Sequence, residues 1–149
     1  MKLYAFASES LTNVWAGIGA QMWAVPELPN QQTNAGRRGK AAKISVGALG
    51  ILYCSVDKTF TSPFVFHSRP DLDEVVEHVW TGRWILPFGI RSLGNPHARL
   101  AWEEAKAMLP SCKAGKPLHN LIHVQPLTVF AGSEIEWADW EVLIGRLAN

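Results

Sequence analysis

The chain has no apolar run approaching the roughly 20 residues needed to cross a bilayer as a helix. Its start, Met1-Lys2-Leu3-Tyr4-Ala5-Phe6, enters a short strand-like segment without a secretory leader, which sets the expectation of a cytoplasmic protein with no membrane partner. Cysteine is scarce: Cys54 lies in an apolar run and Cys112 in a polar stretch, a pattern that excludes a disulfide-stapled secreted scaffold and predicts free thiols. Charge is also sparse, at 18% of residues with a net value of +1, so no basic field is present to hold a polynucleotide by counterion release alone. Any affinity for nucleic acid must therefore be local.

Catalytic signatures are missing as well. There is no Gly-x-Ser-x-Gly elbow, and Gly17 and Gly19 lack the third glycine of a dinucleotide fingerprint, so they read as the end of a first helix. Asp71, Glu104 and Lys106 spell a scattered metal-nuclease pattern, but Glu104 and Lys106 fall in a helical stretch where a solvated face is the simpler explanation. Cys112, His119 and His123, with Cys54 as a distant fourth, have permissible zinc spacing yet no paired Cys-x-x-Cys. The reading is a binding protein rather than an enzyme, with no cofactor and no metal.

What is present is a globular composition. With 48% hydrophobic residues in a 149-residue chain, one domain spanning residues 1–149 is expected to bury its own core. Strand signals fall at residues 3–7, 49–55, 63–68, 85–91 and 121–124, and helical signals at 11–19, 38–45, 72–79, 98–108 and 134–147. Ser133 with Glu136, and Asp71 with Glu74, are capping-box pairs that would start two of these helices. Residues 26–36, rich in Pro, Asn and Gln, read as an exposed loop, and so do residues 111–117. Interleaved strands and helices imply a mixed α/β fold, with a curled sheet or small open barrel flanked by helices.

Seven tryptophans are many for this length. Trp102, Trp137 and Trp140 follow helical periodicity and read as packing residues, and Trp15 packs the first helix or faces out. Trp23, Trp80 and Trp84 instead sit at element borders, where indoles from separate segments can converge into an aromatic cage for a flat ligand. The one dense basic segment, Arg37-Arg38-Gly39-Lys40, supplies candidate phosphate contacts.

The order of these residues resembles a known family. Residues 8–26, SESLTNVWAGIGAQMWAVP, are similar to the opening of YTH domains, and residues 51–68, ILYCSVDKTFTSPFVFHS, to the strand pair that follows. Val79-Trp80-Thr81-Gly82-Arg83-Trp84 before a long strand resembles the YTH stretch with two close tryptophans, while Val46-Gly47 and Gln125-Pro126-Leu127-Thr128 are closer to the sister EVE domains. Both belong to the PUA-like superfamily. The resemblance implies a reader of modified bases in DNA or RNA, N6-methyladenine or a modified cytosine, taken up by base flipping. It implies a cage of Trp23, Trp80 and Trp84, base hydrogen bonding by Asn13 and Glu9, and a floor from Tyr53 and Ser55. It also implies a targeting role beside a nuclease or other effector protein. The alternatives are a PUA-like RNA-binding module indifferent to modification, or a protein-interaction domain using the 26–36 loop.

Overall fold

The computed structural model describes all residues, Met1–Asn149. Strand β1 (Lys2–Ser8) leads through α1 (Leu11–Ala20), β2 (Met22–Pro26) and α2 (Gln31–Ala41) to β3 (Leu49–Cys54). β1 and β3 pair in parallel, from Leu3 opposite Leu49 to Ser8 opposite Cys54. A parallel pair needs a long crossover, and the α1-β2-α2 segment provides it. β4 (Thr59–Phe66) returns as a hairpin, and β5 (Val75–Val76), β6 (Trp84–Ser92) and β7 (Arg99–Ala101) follow. The chain closes with α3 (Trp102–Met108), α4 (Pro110–Lys113), α5 (Leu118–Leu121), a 3₁₀ turn at Pro126–Thr128, β8 (Ser133–Glu134) and α6 (Trp137–Leu147). None of the helices is long and apolar enough to cross a membrane.

The strand order is β2-β6-β4-β3-β1-β8, with β5 added on β6 and β7 on β4. Three strands thus separate β1 from β2 in the ladder, yet residues of both line one cavity, so the sheet curls without closing. Two bulges drive the curl. The β3–β4 register slips by one residue between Gly50–Phe64 and Leu52–Thr61, and the β2–β6 register between Trp23–Phe88 and Val25–Ile85. At each slip a left-handed residue precedes a proline: Ser62 (φ 51) before Pro63, and Leu86 (φ 58) before Pro87. Bulges bend a strand and sharpen its twist, and a proline is tolerated there because the ladder is already interrupted.

Both faces of the sheet are buried, which explains why β3 is apolar throughout rather than alternating. One face carries an aromatic core of Phe6, Phe64, Phe66, Phe88 and Phe130 together with Trp23, Trp80 and Trp84. Within it Phe66 and Phe88 stack at 4.3 Å. The other face holds Leu3, Ile51, Tyr53 and Phe60 against Ala105, Leu109, Leu121, Leu143 and Leu147. Strand alternation divides the residues: Leu52 joins the first core while Ile51 and Tyr53 join the second.

A buried carboxylate fastens the C-terminal helices. Asp139, fully buried, accepts from the Ser111 amide (2.9 Å), the Ser111 hydroxyl (2.6 Å) and the Glu136 amide (3.1 Å). The cap of α6 is thus the pair Glu136 and Asp139, three residues beyond the expected Ser133 and Glu136, because Ser133 is taken into β8 opposite Leu3.

Several expectations are corrected. Residues 72–79 form no helix: the Asp71 carboxylate accepts from the amides of Asp73 (2.9 Å) and Glu74 (3.0 Å), and Val75–Val76 then pair with β6. A helix-start signal here closes only a turn, and the β-branched pair that follows favours a strand. Residues 31–36 of the expected 26–36 loop are helical, and the helix expected at 38–45 instead runs from Gln31 to Ala41, started by the Asn30 side chain accepting from Gln32 and Thr33. The helix buries only Asn34 and Ala41, so it lacks the apolar stripe by which helices are recognised. Residues 121–124 are not a strand: Leu121 ends α5 and residues 122–124 follow it, and the region around 98–108 divides into β7 and α3. β2 was not anticipated, and α1 runs past Gly17 and Gly19 to a left-handed Gln21 cap.

Replacing Asp139 by Ala should lower the unfolding free energy by about 2–4 kcal/mol in urea titrations, and Asp139→Asn by less, since three donors lose a charged acceptor. Gly50→Ala should cost about 1–3 kcal/mol because the added carbon overlaps the Phe64 ring. Gly36→Ala, with nothing within 4 Å of the new carbon, should be neutral or stabilising.

Candidate functional site

The seam between β1 and β2 opens into a cavity of about 1000 Å³. β2 pairs with β6 alone, and β8 covers β1 only at Lys2 and Leu3, so Ala5–Ser8 and Trp23–Pro26 present unpaired strand edges along the opening. Unpaired edges expose backbone donors and acceptors that a flat ligand can bind. The cavity lies beyond the carboxyl ends of the parallel strands, where Ser8 and Ser55 are tied together by Ser55 N to Ser8 O at 2.8 Å. Open α/β sheets commonly bind ligands at that end.

The three tryptophans singled out from the sequence do converge. Trp80 and Trp84 stack at 4.6 Å with planes 27° apart, and Trp23 meets both edge-on, at 5.3 Å and 6.1 Å. Their roles differ, however. Trp23 and Trp84 are among the residues that line the cavity, only 1% and 8% exposed, whereas Trp80 is not. With ring centroids at 4.6 Å no base can enter between Trp80 and Trp84. Trp80 lies behind the cavity wall as a buttress, its indole N–H donating to the Asn13 carbonyl at 3.0 Å. Trp84 is held by its own N–H to Thr81 O, 3.0 Å. The three-faced cage is replaced by a right-angled corner of two indoles, 82° apart. Gly17 makes this possible, because a Cβ there would stand 2.6 Å from Trp23 Cε3.

Trp102, expected to be a packing residue, also lines the cavity. It is half-buried, stacks on Phe60 at 5.6 Å and meets Tyr53 edge-on at 5.8 Å. It is the first residue of a helix directly after a strand, a border position like those of the other cavity tryptophans, but that border lies inside the helix expected at 98–108.

The polar residues divide similarly. Glu9, Asn13, Tyr53 and Ser55 all line the cavity. The Asn13 side-chain amide bonds to no other protein group, while the Ser55 hydroxyl is engaged with Ser8 O at 3.2 Å. Burial raises the Tyr53 phenol above its usual pKa, so it stays protonated. Of the basic segment only Arg37 reaches the cavity, where its Nη2 donates to Pro126 O at 3.2 Å and burial lowers its pKa. Arg38 turns to Asp73 at 3.2 Å in a separate groove, and Lys40 is exposed on the α2 terminus without lining the cavity. Lys58 is a further lining cation that the sequence did not single out.

Against Arg37 and Lys58 stand the carboxylates of Glu9, Asp57 and Glu103, and Asp57 is itself paired with Arg99 at 3.2 Å. The cavity is therefore not strongly electropositive, and stacking and hydrogen bonding must dominate what it holds. The other chemistries considered do not assemble. No three His, Cys, Asp or Glu side chains form a metal-holding group, Glu104 is paired with Arg146 and Lys106 with Glu103.

No protein-family profile matches the sequence, and no curated protein does. Solved structures do match in architecture. The YTH domain of Zygosaccharomyces rouxii MRB1 protein, in complex with N6-methyladenosine RNA, superposes with a TM-score of 0.63 at 16% identity over 97% of this chain and 84% of that one. The Pho92 YTH domain in complex with m6A gives 0.62 at 15% identity, covering 97% and 84%. The Toxoplasma CPSF4 YTH domain in apo form gives 0.62 at 12% identity, covering 99% and 88%. The open-seamed sheet with its flanking helices is thus the fold of the YTH domains.

Proposed function

We propose that this chain is a non-catalytic reader that takes the modified base of an RNA strand, N6-methyladenine in the first instance, into the corner formed by Trp23 and Trp84. The observation that carries the reading is that corner: two perpendicular, largely buried indoles in the wall of the seam cavity, in a fold that, in the Pho92 and Z. rouxii proteins, is seen with m6A or N6-methyladenosine RNA. A base stacked on one ring and touching the other with its edge gains about 1–3 kcal/mol, which offsets the few kcal/mol of unstacking and is most favourable on a single strand. A methyl group buried in the corner adds roughly 0.8 kcal/mol. That gain is small, so polar contacts must fix the base edge.

Asn13 is suited to this task. Its free amide offers a donor and an acceptor side by side, matching a base edge that presents both. Exposed Glu9 stands at the rim as a further acceptor. Arg37 and Lys58 are positioned to contact flanking phosphates, which set register without reading sequence. Arg38 and Lys40 are then peripheral, acting on the strand only beyond the cavity.

Titration of labelled single-stranded RNA carrying one N6-methyladenine, against the same strand unmodified and against 5-methylcytosine strands, tests the reading. Methylated adenine should bind more tightly, and Trp23→Ala and Trp84→Ala should each weaken that binding by roughly 5- to 150-fold. Equal affinity for plain and modified strands would instead select a general RNA-binding module, and no binding at all a protein-interaction domain. Arg37→Gln should weaken methylated and plain strands alike and reduce the slope of log affinity against log salt by about 0.7, the value for one phosphate of a single strand.

A further inference from the structure

The cavity is larger than one base requires. At about 1000 Å³ it stands at the upper end of the roughly 300–1,000 Å³ that enclose whole drug-sized ligands, whereas the Trp23–Trp84 corner occupies only its β2–β6 wall. Another part of the lining comes from different elements: Tyr53 near the end of β3, Ser55, Asp57 and Lys58 of the β3–β4 turn, and Ala101, Trp102 and Glu103 at the β7–α3 junction. Trp102 N donates to Lys58 O at 2.9 Å, so the turn and the helix start form one connected wall.

The geometry of Trp102 is that of a platform. Its centroid distances to Phe60 and Tyr53 are 5.6 and 5.8 Å, and those two rings are 5.0 Å apart. Phe60, with planes 22° apart, is offset-stacked on the indole, and Tyr53 meets it edge-on. Trp102 is nonetheless only half-buried and lines the cavity, so part of its ring remains accessible. Lys58, beside it in the lining, carries an ammonium that makes no ion pair within the protein.

We infer that the cavity holds two consecutive bases of one strand, the second stacking on the accessible part of the Trp102 ring while Lys58 meets the phosphate that joins or follows it. This rests on the base-reading proposal for the Trp23–Trp84 corner. It implies that a nucleoside alone fills only part of the site, and that a strand gains its additional affinity from one specific neighbour rather than from diffuse charge.

The test varies ligand and protein together. Binding of N6-methyladenosine nucleoside is compared with that of a five-nucleotide RNA carrying it, and with the same RNA made abasic immediately 5′ or immediately 3′ of the methylated base. For the wild-type chain, one of the two abasic strands should bind roughly 5- to 150-fold more weakly than the intact strand, the range of one base–aromatic stack, and the other nearly as well. Trp102→Ala should lose the same factor on the intact strand, lose nothing further on the sensitive abasic strand, and leave nucleoside affinity unchanged; Trp102→Phe should restore most of the loss. Abasic strands that both bind like the intact one would overturn the second subsite, whatever Trp102→Ala does to stability. A neighbour effect that survives in Trp102→Ala would overturn it too. If plain and methylated strands bind alike but the Trp102 dependence holds, the methyl reading fails while the second subsite stands. Failure of nucleoside and strands to bind overturns both.

Discussion

Everything distinctive in this molecule follows from a pair of strands that approach without hydrogen bonding. The curl of the sheet brings β1 and β2 to one cavity, and each keeps one edge unpaired along it. Closing that gap with a ladder would remove the edges and fill the space with side chains, as in small closed barrels. Leaving it open costs backbone hydrogen bonds but creates a slot walled by strand edges and floored by aromatic rings. The sheet tolerates the gap because β2, β6, β4, β3 and β1 stay paired in series despite the two bulges, and both its faces are buried.

The curl has a local cause. Ser62-Pro63-Phe64 on β4 and Leu86-Pro87-Phe88 on β6 are two copies of one device, a left-handed residue followed by a proline and then an inward phenylalanine. Each inserts a residue into its strand, and Phe64 and Phe88 pack at 6.1 Å on the inner face. The bend and the core that it wraps are therefore specified by the same short segments. Behind the sheet, the Asp139–Ser111 clamp holds the C-terminal helices independently of the cavity. Tyr53 is where the two sides meet, packed in the second core and lining the cavity.

Much of this was legible in the sequence and some was not, for physical reasons. The apolar strands β1, β3 and β6 and the terminal helix announce themselves through composition and spacing, and the curled α/β architecture follows. The first two turns of α2 were hidden because a helix that buries only Asn34 and Ala41 shows no apolar periodicity, and only residues 38–41 fell in an expected helix; β5 was hidden because Asp71 gives a helix-start signal that closes a turn instead. Border position marked Trp23, Trp80 and Trp84 as convergent, but it does not distinguish a ring that faces a cavity from one that supports it. That distinction depends on three-dimensional stacking order, which placed Trp80 behind Trp84. Helical spacing alone does not distinguish Trp102 from a packing residue. Arg37 separates from Arg38 and Lys40 only through the pitch of α2, which directs adjacent residues to different sides.

The support behind the corner affects how the cavity can work. Trp80 occupies the back of Trp84 and is itself anchored to the Asn13 carbonyl, while Gly17 lets Trp23 lie close against α1. Neither lining ring is free to change rotamer, so an incoming guest does not bear the roughly 0.5–1.5 kcal/mol of ordering that each mobile side chain exacts on binding. The same stiffness removes the option of adapting. A planar guest of the wrong width meets walls that cannot swing aside, and discrimination becomes a matter of outline rather than of induced rearrangement.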